Sequence, residues 1–243
     1  MSFHGAFAAS GAPRCSNSIE ILSGERTNAM RPSRGGRLIV TPADTPPLLS
    51  DALKVVEDRN FDTHAGFDPK AIARAAWADL RAGDLAQGGS TLTQQLVKSY
   101  FLDNRRTLLR KLKELAMAVI LDARYTKDDL LNAYINEIYL GQDGERAIHG
   151  FGLGSQFYFN KPLSELDPAE IALLVAVIRG PSYYNPFTHP ERARARRDLV
   201  LGLMYEFGLI SEQTHMAAIH RPLALTRSAR QGGGYYPASL DLV

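Results

Sequence analysis

Glu57 stands where an apolar, helix-like run, 48–56, gives way to Asp58, Arg59, Phe61, His64 and Gly66. A carboxylate so placed can do acid or base chemistry, because apolar walls on one side disfavour its charged form while neighbouring charges tune it. A second carboxylate, Glu114, follows Arg110 by four residues and Lys111 by three, so on a helix the three share nearly one face. At a surface such a trio is an ordinary ion pair worth about 0.3–0.5 kcal/mol. Here the apolar run that follows, 115–121, takes the helix into the core, and a carboxylate held there by two cations can organise a pyrophosphate or a metal ion.

Between these segments Gly88 and Gly89 leave room for close approach by a ligand, and Ser90 is placed to cap the helix that follows. On that helix Thr91, Gln95 and Lys98 fall at i, i+4 and i+7 of one face. Gln94 or Gln95 alone would more simply bond to a neighbouring loop. As an ensemble, free N–H groups at a helix start with a lysine two turns along suit an anionic or sugar-phosphate ligand.

The elements that must position these groups are helical. From Pro46 to about His220 apolar residues recur at helical spacing, and the starts are well marked. Asp68-Pro69 and Asp167-Pro168 pair an N-cap with proline at the first helical position, and Thr126 to Asp129 has the form of a capping box. The pattern predicts helices near 47–58, 68–82, 91–101, 106–123, 126–138, 167–178, 190–207 and 211–219, hence a mainly α domain over 46–222. Residues 1–45 are rich in Gly, Ser, Pro and Arg and read as weakly ordered, with one short strand candidate over 37–40. Past Arg221-Pro222 the composition becomes that of a linker, 223–243. Within 126–138 Leu131, Tyr134 and Ile138 read as core scaffold, with Asn136 and Tyr139 supporting a nearby site. His149 and His189 read as structural.

Composition sets the outer limits. A chain of 243 residues with 45% hydrophobic content can bury a sizeable core. The net charge of +2 conceals two basic clusters, Arg105 to Lys113 and Arg192 to Arg197. Cys15 is the only cysteine, which excludes an intrachain disulfide and a cysteine-rich zinc site. The longest apolar run, 171–178, is far below the ~20 residues that span a bilayer, and the N-terminus lacks a signal-peptide pattern. The chain reads as soluble or peripheral, or as a piece cut from something anchored.

Taken in order, four segments resemble the motifs of the peptidoglycan glycosyltransferases, glycosyltransferase family 51. They are Glu57-Asp58-Arg59-x-Phe61-x-x-His64-x-Gly66, Gly89 to Lys98, Arg110-Lys111-x-x-Glu114, and Tyr134-Ile135-Asn136-x-x-Tyr139-x-Gly141. A fifth, Arg179 to Pro186, is similar to the family's last motif. Within that family the likeness is to the glycosyltransferase half of bifunctional class A penicillin-binding proteins, since the chain continues into what looks like the link to a transpeptidase. No serine-x-x-lysine nucleophile motif is present, so no penicillin-sensitive activity belongs to these residues.

The resemblance implies an all-helical, lysozyme-like fold on the outer, periplasmic face of the cytoplasmic membrane that polymerises lipid II. The growing glycan, as donor, presents the anomeric carbon of a MurNAc on undecaprenyl pyrophosphate, and the acceptor lipid II offers its GlcNAc 4-hydroxyl. By the same analogy Glu57 is the general base for attack with inversion, and Glu114 is its catalytic companion. Glu114, Lys98, Arg106, Arg110 and Lys111 match family positions that hold or neutralise the pyrophosphate, with or without a divalent cation, magnesium or manganese; no organic cofactor is implied. Asp58, Phe61, His64, Ser90, Thr91, Gln94 and Gln95 line the cleft. Phe67, Ile72, Ala76 and Trp77 either dip into the membrane or form a packed amphipathic helix. Implied partners are lipid II, the glycan strand, the membrane surface and other cell-wall synthesis proteins, with no nucleic acid. Ser99 and Asn132 depart from the family's usual asparagine and glutamate, and the membrane anchor usual in the family is missing from residues 1–45.

Two other functions share these features. A lysozyme-like hydrolase or lytic transglycosylase uses one dominant glutamate as an acid, which must begin protonated, whereas a base must begin ionised. The nearby cations favour the base. A non-catalytic cell-wall-binding module would have no use for both Glu57 and Glu114.

Overall fold

The computed structural model describes residues 32–33, 37–74, 89–101 and 107–226. Its helices are α1 (Pro47–Glu57), α2 (Leu92–Phe101), α3 (Leu108–Arg124), α4 (Lys127–Glu137), α5 (Phe151–Phe159), α6 (Pro168–Ile178), α7 (Pro190–Glu206) and α8 (Glu212–His220). Residues 69–74 are also helical, and the rest of the helix predicted over 68–82 lies outside the described residues. The mainly α expectation is met.

The centre of the core is α6. Asp167 accepts hydrogen bonds from the backbone N–H groups of Ala169 and Glu170, Glu170 reaches back to the N–H of Asp167, and Pro168 fills the first helical position. Every residue from Ala169 to Ile178 is buried. A helix that is apolar all round can only be the inner layer, and α1, α5, α7 and α8 pack around it. From α7 the stripe Ala193, Arg197, Val200, Leu201 and Met204 faces inward. The guanidinium of Arg197, 1% exposed, is accommodated because it donates to Asp198 and to the carbonyls of Ile219 and Arg221. Those bonds hold the segment after α8, where Leu223 and Leu225 lie on the core and the Thr226 N–H donates to the carbonyl of Tyr158.

A second group is formed by α2, α3 and α4, which pack on one another. Thr107 caps α3, and the predicted capping box of Thr126 and Asp129 starts α4. Two features depart from the sequence-based expectation. Residues 139–149 form an antiparallel hairpin, β3 (Tyr139–Asp143) and β4 (Arg146–His149), turning at Gly144 with φ 59°. The helix that follows, α5, was also not predicted. Its glycines are there for contact: a Cβ on Gly152 would lie 2.6 Å from the carbonyl oxygen of Leu38, and one on Gly154 would lie 2.5 Å from the Leu140 side chain.

The strand expected over 37–40 shortens to β2 (Arg37–Leu38), paired antiparallel with β1 (Pro32–Ser33). At Val40 a side chain replaces the strand partner. Asn136 accepts from the Val40 N–H at 2.8 Å and donates to its carbonyl at 2.9 Å, so Asn136 ties the N-terminal segment to α4. His149 is structural as expected, bonded to the carbonyl of Glu137 and tilted on Tyr139.

Candidate active site

Helix α1 ends because Asp58 leaves helical geometry at φ −156° and ψ 77°, which makes Glu57 its last, half-buried residue. The turn after it is fastened to the start of α2. Asp58, 6% exposed, accepts from the Leu92 N–H and from His64 Nε2, both at 2.9 Å and both at the same oxygen. Nδ1 of His64 accepts from the Gly66 N–H at 3.1 Å, which assigns the proton to Nε2. The Gly66 carbonyl takes the Thr91 hydroxyl at 2.7 Å. Gly66 itself sits at φ 83°, and a Cβ there would lie 2.5 Å from the backbone oxygen of Ala118 on α3. Lys127 closes the turn from the far side, donating to the His64 carbonyl at 2.6 Å and standing 5.0 Å from the centre of the Phe61 ring.

The start of α2 is capped by Thr91 rather than by Ser90. The Thr91 hydroxyl accepts from the Gln94 N–H and the Gln94 side-chain oxygen accepts from the Thr91 N–H, a reciprocal pair at the first turn. Ser90 is thereby free to face α3, where its hydroxyl accepts from Lys111 at 2.7 Å. One turn into α2, the amide of Gln95 donates to Glu57 Oε2 at 3.0 Å, and its carbonyl oxygen accepts from the Tyr134 hydroxyl at 3.0 Å. Lys98 is exposed further along α2.

On α3 the expected trio is assembled. The Glu114 side chain is 3% exposed, with one oxygen taken by Arg110 at 3.0 Å and the other by Lys111. This is a buried carboxylate with two cationic partners, not a surface pair. Arg110 Nε is also buried and has no hydrogen-bond partner among the described residues, so a donor remains beside the trio. Among the described residues no three His, Cys, Asp or Glu side chains converge. With both oxygens of Glu114 already bonded to cations, the described residues do not fit a divalent ion.

The structure therefore brings Glu57, Asp58, His64, Ser90, Thr91, Gln95, Arg110, Lys111 and Glu114 into one bonded set around the start of α2. Phe61 and Gln94 are buried beneath it, at 1% and 0% exposure, and support the wall from behind. Arg106, Ala76 and Trp77 lie outside the described residues. Tyr134, taken from sequence as core scaffold, touches the site through Gln95. The only signal for it in the sequence is its place in the fourth motif.

The transglycosylase family model matches residues 24–205 of this chain. The chain belongs to the transglycosylase family. Among relatives of this transglycosylase, penicillin-binding protein 1B of Vibrio cholerae is 51% identical over 210 residues, covering 85% of this chain and 27% of that protein. Penicillin-binding protein 1B of Haemophilus influenzae is 47% identical over 205 residues, covering 84% and 26%. The chain spans about a quarter of the length of these curated relatives. A crystal structure of penicillin-binding protein 1A from H. influenzae aligns with 80% of this chain and 19% of its own at 23% identity and a TM-score of 0.48, too slight a likeness to argue from. The expectation of a peptidoglycan glycosyltransferase of the class A penicillin-binding type is borne out by the family and by these relatives.

Proposed function

We propose that this transglycosylase domain polymerises lipid II into β-1,4-linked glycan strands with inversion and release of undecaprenyl pyrophosphate, Glu57 being the general base. The observation that carries this is that one helix, α2, bonds both halves of the chemistry. Gln95 of α2 donates to Glu57, and Ser90, just before α2, accepts from Lys111 of the Arg110–Lys111–Glu114 trio.

The division of labour follows from charge. A carboxylate met by an amide N–H donor is used as an acceptor, which suits removal of the proton from the incoming 4-hydroxyl. As the sugar oxygen attacks the anomeric carbon, the C–O bond to pyrophosphate breaks and its electron pair leaves with the phosphate. That departing anion needs positive charge rather than a proton. Arg110 and Lys111, neutralised only once by Glu114, supply a net positive charge there, and Arg110 Nε offers an unused donor. Glu114 keeps the two cations in register in the absence of substrate.

The lipid carrier places the reaction at a membrane surface, and we assign the domain to the outer face of the cytoplasmic membrane. No helix among the described residues is long and apolar enough to cross a bilayer. Leu108, Leu109, Leu112 and Ile120 are exposed along α3, with Lys113 and Arg124 beside them, an apolar stripe with a cationic edge that suits an anionic lipid surface. Ile72 adds a further exposed apolar group, and Phe67 is half-buried.

Incubation with labelled lipid II, and separately with preformed glycan, tests the assignment. Polymer growth that Glu57→Gln abolishes is the expected result. Shortening of preformed glycan without growth identifies a hydrolase and overturns it.

A further inference from the structure

We propose that Tyr134 is a positioning residue for Glu57, acting through the side-chain amide of Gln95. The inference rests on Glu57 being the base. An amide at position 95 has two orientations that differ by a half-turn and fill the same space. In one, the NH2 meets the Glu57 carboxylate. In the other, the amide oxygen faces a carboxylate oxygen, two acceptors with no proton between them.

Tyr134 selects the first. Its hydroxyl reaches Gln95 Oε1 at 3.0 Å, and Gln95 Nε2 reaches Glu57 Oε2 at 3.0 Å. All the donors then point one way, from phenol to amide to carboxylate, an arrangement in which each bond polarises the next. The phenol is dependable as the donor. Tyr134 is 1% exposed, and burial first, with the nearby Glu57 charge second, holds its hydroxyl protonated well above the ordinary tyrosine range. Its ring is fixed on α4 among the core residues Leu130, Leu131 and Ile135, so the hydroxyl reaches Gln95 from a rigid support.

The chain from 134 to 57 joins three helices, and both polar atoms of the Gln95 side chain are used in it. Without the hydroxyl, Gln95 Oε1 loses its donor, the amide can turn over, and Glu57 is no longer held toward the incoming sugar. Binding of the donor pyrophosphate, on α3, is untouched.

The test is a double-mutant cycle in the 243-residue chain. Tyr134→Phe, which removes one oxygen and keeps the ring, is expected to lower kcat for lipid II polymerisation about tenfold with KM within about twofold. In a Gln95→Met background the same substitution is expected to change kcat by less than about twofold, because the group it acts through is gone. Full kcat in Tyr134→Phe overturns the proposal, and so does an equal loss in both backgrounds, which would mark a packing role. Side-chain amide NMR of Gln95 gives a readout without turnover. Its NH2 protons should be protected from exchange in the parent and lose that protection in Tyr134→Phe while the backbone amides of α2 keep theirs. Unprotected Gln95 NH2 protons in the parent overturn the geometry. Full polymerisation by Glu57→Gln overturns instead the assignment of the base, and leaves the NMR result to decide the Tyr134–Gln95–Glu57 linkage.

Discussion

Replacing Asp58 with alanine removes a single oxygen on which two buried donors converge. One donor is the Leu92 N–H at the first turn of α2, where no intrahelical partner exists, and the other is His64 Nε2–H. Neither can turn to water, since Asp58 is 6% exposed and the His64 side chain 5%. A buried donor left unpaired costs about 1–3 kcal/mol, so the pair comes to about 2–6 kcal/mol, from a total stability that for most domains is about 5–15 kcal/mol. The measurement is equilibrium urea unfolding followed by far-UV circular dichroism, which in this helical chain reports the whole fold. Asp58→Asn is the informative companion, because it keeps one acceptor oxygen for the two donors and should lose less than half as much. A loss below about 1 kcal/mol for the alanine variant would be the size of one ordinary hydrogen bond. That result would refute the idea that Asp58 fastens the Glu57 turn to α2.

Gly66→Ala should destabilise more than Gly144→Ala: both glycines have positive φ, at a cost of about 1–2 kcal/mol for any other residue, but only the Cβ at 66 meets backbone, 2.5 Å from the Ala118 oxygen; equal shifts in the urea midpoint would show that the turn yields there. The hydrogen bond from Asn60, followed by the N–H groups of Ala71 and Lys70, holds the Asp68 carboxyl below its usual range despite the opposing effect of burial. Stability from Asp68 is therefore complete above its unfolded value of about 3.9 and is lost as pH falls through the lower folded value, so Asp68→Asn should flatten the fall of Tm below about pH 4. Arg197→Met keeps apolar bulk on α7 but removes the donors to Ile219 and Arg221, and hydrogen exchange at 222–226 should speed up while α6 stays protected.

What was legible in the sequence was what local chemistry decides. Helix starts at Pro47, Thr126 and Asp167 are written in caps and prolines that act within four residues, and the observed elements begin there. The hairpin and α5 were hidden because Gly141, Gly144, Gly150, Gly152 and Gly154 punctuate 139–159 and read as loop. Their helical or extended state is set by neighbours such as Leu38 and Leu140, which are distant or packed from another element. The site divides in the same way. Glu57, Glu114 and their cations could be found from residue type and order, and Arg110 and Lys111 from helical spacing. The partnership of Tyr134 with Gln95 joins residues 39 apart on different helices, and an apolar stripe that contains Tyr134 gives no sign that its hydroxyl points at an amide.

The seating of α2 has a mechanical consequence. Glu57 is bonded to Gln95 inside the helix, the turn behind Glu57 to Leu92 at its start, and the cation cluster to Ser90 just ahead of it. The seats of the proposed proton acceptor and anion receptor are thus joined through one short stretch of chain, 90–95, like two jaws of a gauge cut from one bar. Under the proposed function, the span between the hydroxyl and the phosphate is then set once by this stretch and is not reset at each addition.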